Sequence, residues 1–394
     1  MKKRFWSIII AIITALLLVM SLAACNNEGT EGEGSGEGET LVPTEGLKYE
    51  ITEDGKGFTV TGIESIDITE LVIPATYLNK PLVAIADNAF SSCVVLESIV
   101  IPDSVVKIGR NAFTNTAYYE KASNWKRRVL YIGKHLIEAK NDIADEYWVN
   151  SGTITIADFA FWQCENLTGV TIPDSVATVG RGSFGYCTAL KSAKIGNGVK
   201  TIGNMAFINC GALESIDMGN SVVTIGQQAF QECSKLKSIE LPATLKSVDI
   251  LAFDKCTALT DVYLHDIGAW CSVDFPSIDD KCNPFYYANN LYLNGVKVTE
   301  IVIPDGVTEI GKGAFSHLTS LTKVTIPKSV TKIGMKAYSY CSSLTEIHYG
   351  GTLNDWRKVD TTNNGYGWAW NFEIGETMVY CTDGYYNGGY HYYD

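Results

Sequence analysis

The chain has 394 residues, of which 46% are hydrophobic, so it can bury a sizeable core as one long domain or two compact ones. Its formal net charge of -13 argues against a nucleic-acid partner, because binding to a phosphate backbone requires clustered lysine and arginine. The 11 cysteines raise the question of whether the chain holds metal sites, disulfides or reactive thiols.

Residues 1–25 have the features of a secretory leader. Three basic residues at positions 2–4 precede an apolar stretch over 8–20 that is too short to span a membrane comfortably. The following Leu-Ala-Ala-Cys, which ends at Cys25, resembles the lipobox of bacterial lipoproteins. That resemblance implies lipidation of Cys25 and an extracytoplasmic protein at the cell surface, held to the membrane by its lipid alone. A plain secretory signal and an uncleaved anchor are the alternatives.

Residues 26–46 read NNEGTEGEGSGEGETLVPTEG and contain no aromatic residue. Glycine disfavours ordering and the glutamates repel one another, so this stretch is predicted to be a flexible acidic tether. A cation-binding acidic tail is the weaker alternative.

The rest of the chain is dominated by a repeat of 23 residues with the pattern A-F-x-x-C-x-x-L-x-x-I-x-I-P-x-x-V-x-x-I-G. The spacing of Phe, Cys and Leu suits a 3-10 or short helical turn, and the Ile-x-Ile pair suits a strand with one buried face. Proline ends the strand, and glycine permits the turn into the next unit. Because one coil cannot bury its own apolar face, the pattern predicts a stack of coils. The units begin at Ala89, Ala112, Ala160, Ser183, Ala206, Ala229, Ala252, Ala314 and Ala337.

These repeats resemble the BspA-like leucine-rich repeats of bacterial surface proteins over about residues 47–385. The resemblance implies a β-rich, right-handed solenoid with a parallel sheet, expected to run from about Leu96 to Ile347, and short helical or 3-10 turns. We expect an N-terminal cap over 47–88, a solenoid over 89–349 with enlarged units at 112–159 and 252–313, and a C-terminal cap with a tyrosine-rich tail over 350–394. For some members the family implies adhesion to host or bacterial surface proteins.

Seven cysteines occupy one position of the repeat, but two sister units carry Thr116 and Leu318 there. Leucine cannot replace a metal ligand or a redox thiol, so the repeat cysteines are predicted to be buried core residues. Outside the ladder, an extracytoplasmic location permits a disulfide between Cys271 and Cys282, and Cys381 is expected to be buried. The ladder comprises Cys93, Cys164, Cys187, Cys210, Cys233, Cys256 and Cys341.

Partner binding is expected at positions that the repeat leaves unspecified. The residue between the two inward Ile positions must point outward, and successive coils then form an open face of the kind that solenoids use for binding. The insertions add aromatic and basic groups, and the C-terminal region adds alternating aromatics suited to stacking on sugar rings. A solvated face without a partner, and aromatics that pack on the core, are the alternatives. The candidate residues are Lys194, Ser215, Asp217, Glu240, Tyr263, Trp125, Arg127, Arg128, Trp368 and Trp370.

No catalytic motif or cofactor fingerprint occurs in the sequence, and nothing places the carboxylates of Asp142, Asp145 and Glu146 across a cleft. We therefore expect a lipid-anchored, non-catalytic scaffold without cofactor or metal that binds a protein on a host or neighbouring cell. A glycan-binding protein that uses the C-terminal aromatics and an architectural envelope protein are the alternatives.

Overall fold

Each repeat folds into one coil that contains a longer strand, a short strand and tight turns. The protein was analysed as a computed structural model that describes residues 42–276, 281–361 and 377–387. These residues form a β-solenoid of about 13 turns with mostly parallel strands and little helix, which confirms the solenoid prediction. The leader and most of the tether lie outside the described residues.

Most of the longer strands follow the Leu position of the repeat, and they pair in parallel within several separate ladders. Ser192 lies opposite Ser215, and Lys194 lies opposite Asp217, so equivalent side chains stack in rows. The strands of this set are β6 (Ser98–Val100), β11 (Ala144–Trp148), β13 (Asn166–Thr171), β15 (Ser192–Lys194), β17 (Ser215–Asp217), β19 (Ser238–Leu241), β21 (Asp261–Leu264), β22 (Asn290–Leu293), β24 (Glu300–Val302), β26 (Lys323–Ile326), β28 (Glu346–Tyr349) and β29 (Met378–Cys381). The last described strand, β30 (Gly384–Asn387), pairs antiparallel with β29.

The Val-x-x-Ile-Gly segments form a second set of parallel strands, each of two residues. Pairs such as Ile202 and Ile225 continue from coil to coil, so the solenoid has hydrogen-bonded strands on two sides. The strands of this set are β7 (Lys107–Ile108), β12 (Thr155–Ile156), β14 (Thr178–Val179), β16 (Thr201–Ile202), β18 (Thr224–Ile225), β20 (Ser247–Val248), β25 (Glu309–Ile310) and β27 (Lys332–Ile333).

At the N-terminal end, a mixed sheet leads into the first coil. Its first two strands are antiparallel, whereas the second pairs in parallel with the fifth, whose end continues into the row of short strands through β7. The third strand pairs in parallel with β6 and so begins the row of longer strands. The strands are β1 (Leu47–Ile51), β2 (Phe58–Ile63), β3 (Glu70–Val72), β4 (Thr76–Tyr77) and β5 (Lys80–Ile85).

The prediction that the side of the longer strands is parallel from Leu96 to Ile347 is wrong in the second enlarged unit, where a hairpin forms an antiparallel pair. The first enlarged unit also contains antiparallel hairpins, which end the sheet of short strands. In the second unit the turn is Asn294-Gly295, with φ of 50° and 79°. Positive φ at both residues is the geometry of a tight two-residue hairpin turn, which reverses the chain. The hairpin strands are β8 (Trp125–Lys126), β9 (Val129–Ile132) and β10 (His135–Ala139) in the first unit, and β22 with β23 (Val296–Val298) in the second.

The described helices are single turns at the enlarged units and the C-terminal end. Each α-helix begins at a side-chain N-cap, and Thr352 forms a reciprocal capping box with Asp355. They are α1 (Ala117–Glu120), α2 (Ile267–Cys271) and α3 (Leu353–Trp356), with 3-10 turns at Ala122–Asn124 and Pro284–Tyr286.

Two stacked columns run through the core of the regular coils. The repeat phenylalanines stack ring on ring, with centroids 5.0 Å apart for Phe161 and Phe184 and 5.5 Å apart for Phe207 and Phe230. The ladder cysteines are at most 2% exposed, which confirms their predicted burial. Coil-to-coil contacts of this kind make each unit depend on its neighbours for stability.

Candidate functional site

The longer strands between residues 144 and 293 form two ladders, over 144–217 and 238–293, whose facing strands β17 and β19 lie side by side. We call the surface formed by their outward-pointing side chains the strand face. Its central row follows the position between the two inward residues, and its flanking row lies two residues earlier on each strand. The central row is Trp148, Thr171, Lys194, Asp217, Glu240, Tyr263 and Tyr292. The flanking row is Glu146, Gly169, Ser192, Ser215, Ser238, Asp261 and Asn290.

The structure places five of the predicted binding residues on this face. Lys194, Ser215, Asp217 and Glu240 are exposed and Tyr263 is half-buried, whereas the residue between Ser215 and Asp217, Ile216, is buried. The predicted alternation is therefore confirmed. That these residues bind a partner stays a prediction.

A shallow trough of about 340 Å³ runs along the flanking row of the strand face. Ser192 and Ser215 form its floor because their side chains are short, and the longer Lys194 and Asp217 form one wall. At Gly169 the space that a Cβ would occupy is filled by the Glu146 side chain, 2.9 Å away, which closes one end of the trough. The trough can thus accept an extended chain along the stack of coils.

The charges on the strand face are held by local contacts. The Glu240 carboxylate lies 2.6 Å from Nε2 of His265, and the Asp217 carboxylate accepts a hydrogen bond from the Gly219 amide at 3.0 Å. Lys194 has no carboxylate partner among the described residues. Its ammonium group is therefore available to a ligand.

Sequence reasoning missed two aromatic residues of this face. Trp148 is 53% exposed at one end of the central row, and Tyr292 stacks on Tyr263 with ring centroids 4.5 Å apart at the other. Tyr292 follows from a sequence signal, since the Asn294-Gly295 turn marks a hairpin whose first strand holds it. Trp148 lies in a strand without the repeat motif, and the alternation around the buried Tyr147 is its only signal.

Three other predicted residues lie elsewhere. Trp125 begins β8, and Arg127 and Arg128 form the turn to β9 with φ of 51° and 69°. This hairpin ends the sheet of short strands, so it does not join the strand face. The Trp125 indole donates to the Tyr119 carbonyl at 2.7 Å and lies 3.6 Å below the Lys140 ammonium. Trp125 therefore packs against the rest of the unit, whereas the side chains of Arg127 and Arg128 are exposed.

Trp368, Trp370 and Cys25 lie outside the described residues, so their predicted roles stay predictions. Cys271 and Cys282 are both buried, and the disulfide that the sequence permits between them also stays a prediction. Cys381 is half-buried instead of buried, because it lies in the last strand pair of the described chain.

The ladder thiols also form hydrogen bonds between successive coils. The Cys210 Sγ–H donates to the Phe184 carbonyl of the preceding coil at 3.1 Å, and Cys233 donates likewise to Phe207 at 3.2 Å. Burial raises the pKa of Cys210 to about 12, so its reactive thiolate is scarce at neutral pH. These cysteines therefore link successive coils through their thiol hydrogen bonds.

The carboxylates considered for glycoside cleavage are committed elsewhere or spread apart. Asp142 forms an ion pair with Arg128, Asp145 has a φ of 64° in a bulged strand, and Glu146 lies on the strand face. Within the described residues, no cluster of histidine, cysteine, aspartate or glutamate is suited to a metal ion. None of the described helices has the length and apolar character required to cross a membrane.

The model of the BspA type leucine-rich repeat region matches this chain in six copies, over residues 63–145, 154–271 and 287–358. The chain belongs to the BspA-type leucine-rich repeat family. Its members are leucine-rich repeat proteins, which are typically non-enzymatic scaffolds. No curated protein matches the chain.

Several solved structures of BspA-like and related leucine-rich repeat proteins are similar to this chain. A leucine-rich repeat protein from Bacteroides ovatus is 23% identical over 87% of this chain and 100% of its own, with a TM-score of 0.35. A leucine-rich cell surface protein from Faecalibacterium prausnitzii is 24% identical over 83% and 99%, with a TM-score of 0.29. The pneumococcal vaccine antigen PcpA is 16% identical over 87% and 93%, with a TM-score of 0.25. At these TM-scores the likenesses support no conclusion about function.

Proposed function

We propose that this chain is a lipid-anchored, non-catalytic surface protein whose strand face binds a protein partner on a host or neighbouring cell. The observation that carries the proposal is the trough of about 340 Å³ along the strand face, beside a central row that ends at the 53%-exposed Trp148. Exposed tryptophan beside polar, hydrogen-bonding groups is the composition of binding hot spots.

The shape of the strand face favours an extended segment of the partner. On the floor of the trough, Ser192 and Ser215 offer small donors and acceptors on two adjacent coils, spaced by the separation of paired strands, about 4.8 Å. Lys194 and Asp217 supply one charge of each sign beside that floor, which selects for a partner segment of mixed charge. A solenoid presents such a surface without any conformational change, because the coils fix the rows.

Pull-down of purified matrix proteins and of surface extracts from neighbouring bacteria tests the proposed binding. We expect Trp148→Ala to weaken capture at least 10-fold, which corresponds to about 1.4 kcal/mol. Tyr340→Ala is the matched control, since Tyr340 is 45% exposed and does not belong to the strand face. Equal loss in both variants, or no loss in Trp148→Ala, would place binding elsewhere.

The anchor is tested separately by metabolic labelling with a fatty acid. Lipidation of Cys25 predicts a labelled protein in the membrane fraction and an unlabelled Cys25→Ser variant. Label that persists in the variant would refute the lipobox interpretation.

A further inference from the structure

The first enlarged unit contains a coil that is two residues shorter than its neighbours. The carbonyls of Leu136 and Val179 each accept a bond from the next coil at 2.9 Å, so these residues are equivalent. The amides of Ala139 and Phe184 each donate to the next coil, at 2.7 and 2.8 Å, and are likewise equivalent. In the short coil, Ala139 follows Leu136 by three residues. In the regular coil, the equivalent Phe184 follows Val179 by five residues. An alanine therefore stands where the regular coil has a phenylalanine.

The missing turn leaves a recess of about 210 Å³ between this coil and its neighbours. It is smaller than the pockets that hold drug-sized molecules, so its volume suits a single ring. The polar and aromatic side chains that line the recess include Arg110, Glu138, Asn141, Phe159, Trp162 and Gln163.

Phe159 and Trp162 form the aromatic wall of the recess, and the Trp162 ring occupies space that is open because the neighbouring coil has Gly185 beside it. A Cβ at Gly185 would lie 2.3 Å from the Trp162 ring, and the equivalent position of the next coil is Ile208. Trp162 contacts Phe159 and Tyr186, with ring centroids 5.0 and 4.7 Å away. The φ of 62° at Phe159 is the turn geometry of the repeat, since the equivalent Met205 and Gln228 both have φ of 57°.

Polar groups surround the aromatic wall. Glu138 stands where regular coils have alanine, and its carboxylate accepts a bond from the Tyr119 hydroxyl at 2.9 Å. Glu138 is half-buried, and this burial raises the pKa of its carboxyl group. Arg110, Asn141 and Gln163 are exposed at the rim, where their donors and acceptors remain accessible.

We propose that this recess binds one neutral pyranose ring of a glycan. Such a ring has an apolar C–H face for the Trp162 indole, and hydroxyl groups that pair with the Glu138 carboxyl and the Asn141 amide. An acidic sugar fits less well, because its carboxylate would approach both Glu138 and the buried Asp158. The nearby cations are already engaged, since Arg181 is ion-paired with Asp158 and the Arg110 guanidinium lies over the Phe159 ring at 4.7 Å. The recess involves none of the strand-face residues, so it is a second site independent of the proposed protein-binding surface.

Saturation-transfer NMR and calorimetry of the full chain with methyl glycosides test the proposal. The panel contains the glucoside, galactoside, mannoside and N-acetylglucosaminide, with the glucuronide as the acidic probe. A ligand of one ring, with about 12 heavy atoms, is expected to bind with a Kd of about 2 mM for the preferred neutral sugar.

We expect Trp162→Ala to weaken that binding at least 10-fold and Asn141→Ala to weaken it about fivefold, whereas Trp148→Ala leaves it unchanged. Asn141 is exposed, so its variant keeps the test decisive if Trp162→Ala does not fold. The proposal is overturned if no neutral glycoside binds, if only the glucuronide binds, or if both recess variants bind as the unaltered protein does. Loss of partner capture in Trp148→Ala alone bears on the strand face and not on this site.

Discussion

The cysteine ladder makes a quantitative prediction at Cys210, which is fully buried and donates its thiol hydrogen to the Phe184 carbonyl. In Cys210→Ala the transfer term for one buried sulfur, about the size of a methylene, is about 1 kcal/mol, and the cavity adds a fraction of that. The lost hydrogen bond adds little, because the Phe184 carbonyl still accepts from the Cys187 amide at 3.4 Å. We expect a total loss of about 1–2 kcal/mol in the free energy of unfolding.

Urea unfolding followed by circular dichroism measures this loss. Cys210→Ser separates the two contributions, since serine keeps a donor but places a hydroxyl in an apolar site. If burial dominates, the serine variant is at least as destabilised as the alanine variant. Alkylation under native conditions provides the second readout, with half-buried Cys381 as the reactive reference. Rapid native alkylation of Cys210, or an alanine variant as stable as the unaltered protein, would refute the packing described for the ladder.

Two further predictions concern stability. His135 is fully buried, and burial lowers its pKa, with Asp103 and Lys134 as the nearest charges acting in opposite senses. Since the unfolded chain then takes up a proton that the native chain excludes, unfolding free energy should fall by up to about 1.4 kcal/mol per unit as pH drops below about 6.5. Replacing His135 with leucine should flatten this dependence and replacing the exposed His265 should not; equal curves would exclude His135 as the cause. At the Asn294-Gly295 turn, Gly295→Ala should lose about 1 kcal/mol or more, because φ is 79° there. Gly211→Ala, whose Cβ would meet only Ser234 at 3.8 Å, should be neutral or slightly stabilising, and a larger loss at Gly211 than at Gly295 would contradict the turn geometry.

Much of the solenoid follows from the sequence because the repeat fixes which side of each strand is buried. Ile216 must be inward if the pattern holds, so Ser215 and Asp217 must be outward, and the structure agrees. The ladder cysteines follow from the same comparison, since Leu318 replaces one of them and is itself buried.

What the sequence could not show lies where the repeat is broken. The short coil carries Ala139 in place of phenylalanine, which hides both strand β11 and the exposed Trp148 from a motif search. The bond between Cys210 and Phe184 depends on the stacking distance between coils, which residue spacing does not define. The contact of Arg128 with Asp142 depends on a hairpin whose turn, Arg127-Arg128, lacks the usual glycine or asparagine.

The most direct test of the strand face as the binding surface is site-specific photo-crosslinking on intact partner cells. A photoreactive amino acid at Ser215, on the exposed floor of the trough, is compared with one at Ser234, which is exposed in the same region of the chain but outside the strand face. The proposed function predicts a crosslinked partner from position 215 and none from position 234. Crosslinking from position 234 alone, or equally from both, would contradict it.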